Sequence, residues 1–472
     1  MENSNRTEFT IFGGTGDLAK NKLIPALFDL KLKKCLPEEY KIIGFARKSL
    51  SDNEYRDFVS ESIKSKGNNY NSDDVAEFLN RIHYVQGDIN DFKTYRHLPG
   101  ASDQLDIQKQ ICSNKIFYLA VPPSLYEPVF VNLEKSGLAK ESTGESGESW
   151  TRILVEKPFG DNPAQAQKLD RMLGQLFQEN QVFRIDHYLA KEVLQNIIAF
   201  RFSNPIFVPV WNRKHIEKIE ISLFEMNDAS ERGHFYDPIG ALLDVGQNHI
   251  LQMLALVTME DPKNLSHNEI RKARASVIKK MVPYCKDPRS YAFRAQYEGY
   301  LNEPGVSKES ETDTFFQLKL GINNKRWKGV PIYLQSGKAL SKKLVQIKIT
   351  FKPSKSSICP VNDMCHYGNT VIIDVQPEEK ISIKFWSKNP GLSFGLEKRD
   401  LSFSYEEDSH LLSDAYEKVL YDCILGDQTL FNSTTEALSQ WKLISRVRQN
   451  WIKNKLEIYE KGIDPEELLK LK

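Results

Sequence analysis

The sequence has little that would tie it to a membrane, a nucleic acid or an oxidising compartment. No apolar run comes near the roughly 20 residues that a membrane-spanning helix needs. Net charge is almost absent: 64 lysines and arginines stand against 63 acids, a formal +1, so any basic site is local and neither nucleic acid nor an anionic membrane is expected as a partner. Cysteine is scarce. Cys35, Cys112, Cys285, Cys359, Cys365 and Cys423 are scattered, include no C-x-x-C pair and read as free thiols. Cys359 and Cys365 with His366 form the only grouping a metal could use, and the spacing fits no standard zinc pattern, so no metal is expected. Repeats at solenoid periods are missing. Low complexity is confined to KESTGESGES at 140–149, which suits an exposed polar loop. The opening MENSNRTEFTIFGG runs straight into a strand with no charged n-region or cleavage site, which makes the cytoplasm the expected compartment.

What is present is enough for two domains. At 472 residues, 40% hydrophobic and 27% charged, the chain sits close to globular averages. A strand candidate at Glu8 to Phe12 runs into Gly13-Gly-Thr-Gly-Asp-Leu-Ala19 and then a helix through Lys34. Gly13, Gly16 and Ala19 space out a variant of the dinucleotide fingerprint, and the loop residues Gly13, Thr15, Gly16, Asp17 and Leu18 are expected to hold a cofactor. The next strand, Lys41 to Ala46, ends in Arg47-Lys48, where an NAD enzyme carries an acid for the ribose hydroxyl; arginine there suits a 2′-phosphate, hence NADP. Two solvated basic residues after a strand are the plainer alternative. Strands at Ile82 to Gln86, Lys115 to Ala120 and Arg152 to Val155 alternate with helices at Asp52 to Lys64, Leu125 to Glu134 and Pro163 to Gln178, which predicts a doubly wound parallel sheet. Its ligand rim would carry Asp88, Ile89 and Glu156-Lys157-Pro158, with Lys157 able to reach between cofactor and substrate.

The nonapeptide RIDHYLAKE, Arg184 to Glu192, places a carboxylate, an imidazole, a phenol and an ammonium together after a short strand, Val182 to Ile185. Leu189, Val193, Ile197 and Phe200 then repeat at helical spacing, so the cluster is read as a helix start at which His187 and Lys191 add charge and donors for a phosphate. A helix cap with solvated polar side chains would account for the same residues.

Beyond residue 186 the pattern changes to long alternating strands: His215 to Phe224, Tyr291 to Tyr297, Thr312 to Leu320, Leu344 to Phe351, Thr370 to Gln376 and Ile381 to Phe385. Their spacing predicts a mostly antiparallel sheet with one face left for helices or a second subunit. The domains are accordingly 1–185, a nucleotide-binding Rossmann-type domain, and 186–472, an α+β substrate-binding and dimerisation domain. Asp237 and Pro238 look like the cap and first position of a helix running to about Met259. Asp244, Gln247, Asn248 and His249 are costly in so apolar a helix unless they line a cavity. Asp244 and His249 would stand roughly 140° apart on an ideal helix, and Gly246 permits a distortion that brings them together.

These blocks, with NIIAFRFSN, RWKGVPIYLQSGKAL and DAYEKVLYDCILGDQTLF, resemble the glucose-6-phosphate dehydrogenase family nearly end to end. The resemblance implies oxidation of glucose 6-phosphate to the 6-phosphogluconolactone with NADP as cofactor, by a homodimer or homotetramer. It implies that His249 is the general base and Asp186 its carboxylate partner. His187, Tyr188 and Lys191 match positions at the substrate phosphate, and Glu225, Asp244, Lys338 and Lys343 match positions holding the sugar. Arg47 matches the 2′-phosphate arginine, Asp88 and Ile89 an adenine-side contact, and Lys157 a lysine near both ligands. Departures are Ala190 for a usual glycine, Gly246 for a larger residue, which is expected to loosen His249, Gln335-Ser336 before the glycine-lysine, a short segment at Gln296 to Gly305, and GIDP in the tail. A sugar oxidoreductase of the glucose–fructose type and a non-catalytic NADP-binding regulator are the alternatives.

Overall fold

The computed structural model describes residues 6–67, 70–99, 113–141, 143–144, 147–157, 163–353, 368–392, 395–405, 413–451 and 454–471. They form two compact units, Met1–Ala190 with Ser413–Thr434, and Lys191–Leu412 with Thr435–Lys472.

The first unit is built on six parallel strands, β1 (Thr7–Phe12), β2 (Tyr40–Ala46), β3 (Ile82–Gln86), β4 (Asn114–Leu119), β5 (Thr151–Val155) and β6 (Val182–Arg184), in the order β3-β2-β1-β4-β5-β6. All six residues of β1 are buried, as are those of β4, which requires helices on both faces. These include α1 (Ile24–Leu32), α2 (Asp52–Lys64), α3 (Ser72–Leu79), α4 (Tyr126–Lys135) and α5 (Pro163–Leu176). Ser51 and Glu54 start α2 with a reciprocal capping box. Phe12, Phe45, Tyr95 and Phe117 pack ring to ring, with centroids 5.2 to 6.2 Å apart where they meet; burying each such ring contributes about 1.5–3 kcal/mol. Strand order reverses between β1 and β4, so the ligand crevice of such a sheet lies at their carboxyl ends.

Within 140–149, where a loop is expected, the described residues include two short paired segments. Thr143–Gly144 pairs with Gly147–Glu148 as a short antiparallel ribbon, which satisfies its backbone locally, and Ser149 behind it is buried.

In the second unit a ten-stranded sheet uses β7 (Ile216–Phe224), β8 (Met281–Pro283), β9 (Ala292–Tyr297), β10 (Phe315–Ile322), β11 (Ile332–Gly337), β12 (Leu344–Phe351), β13 (Thr370–Gln376), β14 (Lys380–Lys388), β15 (Leu396–Ser404) and β16 (Leu456–Tyr459). Their order is β15-β14-β13-β12-β7-β11-β10-β9-β16, with β8 on β10. The sheet is mostly antiparallel as expected, with parallel pairings of β11 to β7 and β16 to β9. β10 starts at Phe315 rather than Thr312, because Thr312 and Asp313 bond to the segment at 237–242 instead of a strand. At the sheet's edge β15 leaves Leu401 and Phe403 60% and 50% exposed. Behind the sheet lie α6 (Glu192–Phe202), α7 (Leu251–Thr258) and α8 (His267–Ile278), while α9 (Ala415–Leu425) returns to the first unit and α10 (Thr434–Trp451) follows it.

Candidate active site

The crevice of the first unit is lined by the glycine turn. Gly13 has φ +84, a conformation open to glycine, and a Cβ there would lie 2.3 Å from the Ala120 carbonyl oxygen. Gly14 packs backbone to backbone on β2, where an added Cβ would stand 2.7 Å from Gly44 Cα. Tyr55 braces this turn from α2 by donating its hydroxyl to the Gly14 carbonyl at 3.0 Å; no local pattern announced that contact. Gly16 and Asp17 are exposed, Thr15 and Leu18 half-buried, and Ala19 is buried at the start of a π-helical turn, Ala19–Leu23, that leads into α1. Arg47, just past the end of β2, is exposed and has no ion pair among the described residues. Past β3, Asp88 accepts from the Asn90 backbone at 2.9 Å, and the Ile89 carbonyl is held by Asn132 at 2.8 Å and Tyr95 at 3.0 Å. The turn, the open loop and the free guanidinium fit a dinucleotide carrying a 2′-phosphate.

Glu156, read from sequence only as part of the rim, proves to be a junction. It follows β5, accepts from the Tyr118 hydroxyl at 2.5 Å and meets His187 Nε2 at 3.2 Å. Burial acts to raise its carboxyl, but bonding to His187, the His187 charge, the Tyr118 bond and nearby Lys157 together bring it below the usual carboxylate range. The His187 ring lies on Tyr416, centroids 4.3 Å apart. Asp186 is 1% exposed and accepts from the Tyr188 backbone at 3.1 Å. Lys157 is half-buried, and Pro158 lies outside the described residues.

The helix start read in RIDHYLAKE lies at the end of the nonapeptide, not at RIDHY. Residues 187–190 form turns and α6 begins at Glu192, so His187 is not in a helical first turn. Lys191 occupies the N-cap position with no capping side chain of its own. The cap comes instead from Glu379, in the β13–β14 turn, which accepts from Val193 N–H and from Lys191 Nζ, both at 3.0 Å. A carboxylate therefore already sits on the positive end of this helix.

The expected helix from Asp237 to Met259 ends where expected, with Met259 as its C-cap, but its start is corrected. Asp237 instead accepts from the Tyr300 hydroxyl at 3.0 Å and the Ser307 backbone at 3.2 Å, and residues 237–239 form a turn. A π-helix then spans Leu242–Ile250 and passes into α7. Its bonds run from i to i+5, so Asp244 and His249, five residues apart, stack on nearly one face rather than diverging. His249 is 2% exposed, and its backbone N–H meets Asn248 Oδ1 at 2.6 Å. At Gly246 a Cβ would stand 2.8 Å from Phe316 Cζ, so the ring fills the space a larger residue would take.

Glu225 and Lys338 are brought together, Oε2 to Nζ at 2.6 Å, at the ends of paired strands β7 and β11. The Lys338 ammonium also lies 5.2 Å from the centre of the Tyr236 ring. Tyr236, unremarked in the sequence, is 4% exposed and its hydroxyl has no hydrogen-bond partner among the described residues. Burial raises that hydroxyl well above its ordinary range, reinforced by the charges of Asp244, Asp313 and Glu225. Lys343 is exposed. Among the described residues no three His, Cys, Asp or Glu could hold a metal, while Cys359, Cys365 and His366 lie outside them. Cys35, Cys285 and Cys423 are free thiols, and among the described residues no helix is long and apolar enough to cross a membrane.

Residues 10–196 match the family model for the glucose-6-phosphate dehydrogenase NAD binding domain, and residues 198–471 the model for its C-terminal domain. The glucose-6-phosphate 1-dehydrogenase of Borreliella burgdorferi is 36% identical over 457 residues, 94% of this chain and 92% of that protein. Glucose-6-phosphate 1-dehydrogenase 5, cytoplasmic, of Arabidopsis thaliana is 37% identical, covering 92% of this chain and 84% of its own. A solved glucose-6-phosphate dehydrogenase in complex with glucose 6-phosphate superposes with a TM-score of 0.88 at 33% identity, over 99% of this chain and 96% of the other. With both halves matched and the fold shared end to end, this chain belongs to the glucose-6-phosphate dehydrogenase family.

Proposed function

We propose that the residues gathered above serve the family's reaction, oxidation of D-glucose 6-phosphate to 6-phospho-D-glucono-1,5-lactone with NADP, the first step of the oxidative pentose phosphate pathway. NADP supplies the acceptor for the hydride leaving C1. Gly13, Thr15, Gly16, Asp17 and Leu18 would hold its pyrophosphate, Arg47 its 2′-phosphate, and Asp88 and Ile89 its adenine side. His249 removes the C1 hydroxyl proton as general base, and Asp186 is the carboxylate that stabilises its protonated form. The observation that carries this reading is the π-helical stretch Leu242–Ile250, whose i to i+5 register supports a nearly common face for Asp244 and His249.

Lys191, His187 and Tyr188 are assigned to the phosphate, with Glu156 setting the His187 ring. Binding energy from that distant group goes into orienting C1. Glu225, Lys338 and Asp244 bind the sugar hydroxyls, a pair of opposite charges offering both acceptor and donors; Lys343 and Lys157 complete the assignment. The exposed edge strand β15, with Leu401 and Phe403, supports a homodimer or homotetramer built on the sheet. A cytoplasmic setting is supported by the compartment named for the Arabidopsis relative. NADPH formation, followed by absorbance with glucose 6-phosphate against glucose and with NADP against NAD, tests the assignment. No turnover with glucose 6-phosphate and NADP would end it.

A further inference from the structure

The start of the π-helix is held by a residue that belongs to neither ligand site. Asp313, just before β10, accepts the Leu242 N–H through Oδ2 at 2.9 Å and the Ala241 N–H through its own carbonyl at 2.9 Å. Gly240, with φ +69, brings the chain so close that a Cβ there would lie 2.8 Å from Asp313 Oδ1. Two of the orphan donors that open the helix carrying Asp244 and His249 are thus satisfied by one residue on another element. The next residue, Thr314, accepts the Lys338 N–H at 2.9 Å through its carbonyl, and its hydroxyl meets Tyr459, which donates to the Lys338 carbonyl at 2.7 Å. A dipeptide therefore anchors both the helix of Asp244 and His249 and the backbone of Lys338.

We propose that Asp313 is a positioning residue for the oxidation, fixing the register of the π-helix so that His249 stands in line with C1. The proposal rests on the reading of His249 as the base. Asp313 makes its bonds to backbone amides, so an acceptor of the same shape does the same work, whatever its charge. A residue that merely stabilised the fold would change how much enzyme is folded and leave the turnover of the folded fraction alone.

Steady-state kinetics and thermal unfolding of the full chain with Asp313→Ala, Asp313→Asn and Asp313→Ser decide the matter. Asp313→Ala should lower kcat by about ten- to a hundredfold, the scale of a small misplacement of a reacting group, with KM for NADP within about twofold. Asp313→Asn, which keeps the acceptor, should restore kcat to within about threefold. In a His249→Asn background Asp313→Ala should have little further effect on kcat, since residues acting through one group are not additive. Should Asp313→Ala fail to fold, Asp313→Ser, too short to reach Leu242, takes its place. A lower unfolding temperature with unchanged kcat overturns the proposal, and so does a loss of kcat that is equally large without the imidazole. If His249→Asn alone turns over normally, the assignment of the base falls instead, and the Ala-against-Asn comparison still decides whether Asp313 acts on turnover.

Discussion

Lys191 and Glu379 form an ion pair, Nζ to Oε1 at 3.0 Å, while the other carboxylate oxygen takes the Val193 N–H at 3.0 Å. A substrate phosphate at Lys191 must share that ammonium with a fixed carboxylate, so the lysine's second and third protons are the ones left for it. Lys191→Ala should raise KM for glucose 6-phosphate and narrow its advantage over unphosphorylated glucose. The ratio of kcat/KM for the two sugars measures this. An unchanged ratio would move the phosphate elsewhere, with Lys157 the next candidate.

Arg47 has no competing acid among the described residues, so its removal should act on the cofactor alone. Losing an arginine-to-phosphate bond costs about 1.5–3 kcal/mol, or roughly ten- to a hundredfold in KM for NADP. Arg47→Ala should show that change with KM for NAD nearly constant. Equal changes for both cofactors would reject the 2′-phosphate assignment.

His249→Asn should lower kcat by about 10² to 10⁴, the usual contribution of a general base, with substrate affinity within a few fold. Asp186→Asn should slow turnover less. Because the base must be neutral to take a proton, wild-type kcat falls as pH drops through the imidazole's titration, and that limb should vanish in His249→Asn. A persisting limb with near-normal turnover would make His249 structural.

Tyr236 keeps a buried hydroxyl with no hydrogen-bond partner among the described residues, so Tyr236→Phe removes a desolvated group and leaves the ring beneath Lys338 in place. Stability should be unchanged or should rise by about 0.5–2 kcal/mol. Urea unfolding reads this, and a clear loss of stability would show that the hydroxyl is bonded in solution.

The Asp313 carboxyl is pushed up to about 7 by burial, against backbone bonds from Leu242 and its own amide and the charges of Arg448 and Arg294. Tyr236, Tyr300 and Tyr459 face it from three further elements. A raised pKa means the folded state holds the proton more tightly than the unfolded chain, so this contribution is present below the ordinary carboxylate range and is lost as pH rises towards 7. Asp313→Asn has nothing to ionise. Its stability relative to wild type, from urea midpoints at about pH 5 and about pH 8, should be greater at the higher pH; an equal difference at both would show the carboxyl titrating normally.

The strands of the first unit were readable to within a residue because each is a short apolar run bounded by turn residues, and α2 because Ser51 and Glu54 cap it locally. What escaped was tertiary. Nothing near Leu242 says that its cap is Asp313, 71 positions away, and nothing near Val193 points to Glu379, 186 positions away. Local signals misled in both places: Asp237-Pro238 looks like a helix start and serves a turn, and RIDHY looks like one and precedes it. The π-helical register was foreshadowed only by Gly246 and the cost of four polar residues in an apolar helix.

The return of Ser413–Thr434 to the first unit means that the two halves of the sequence are not the two bodies of the fold. Arg152, on β5, donates to the Cys423 and Ile424 carbonyls at 2.6 and 2.7 Å, Gln428 donates to the Val182 carbonyl at 3.0 Å, and Lys33 pairs with Glu417. A growing chain that has released residues 1–190 from the ribosome therefore still lacks these contacts of its nucleotide-binding unit; the residues that make them are synthesised only after most of the other unit. The contacts that α9 makes with the first unit can form only once residues 191–412 have been synthesised.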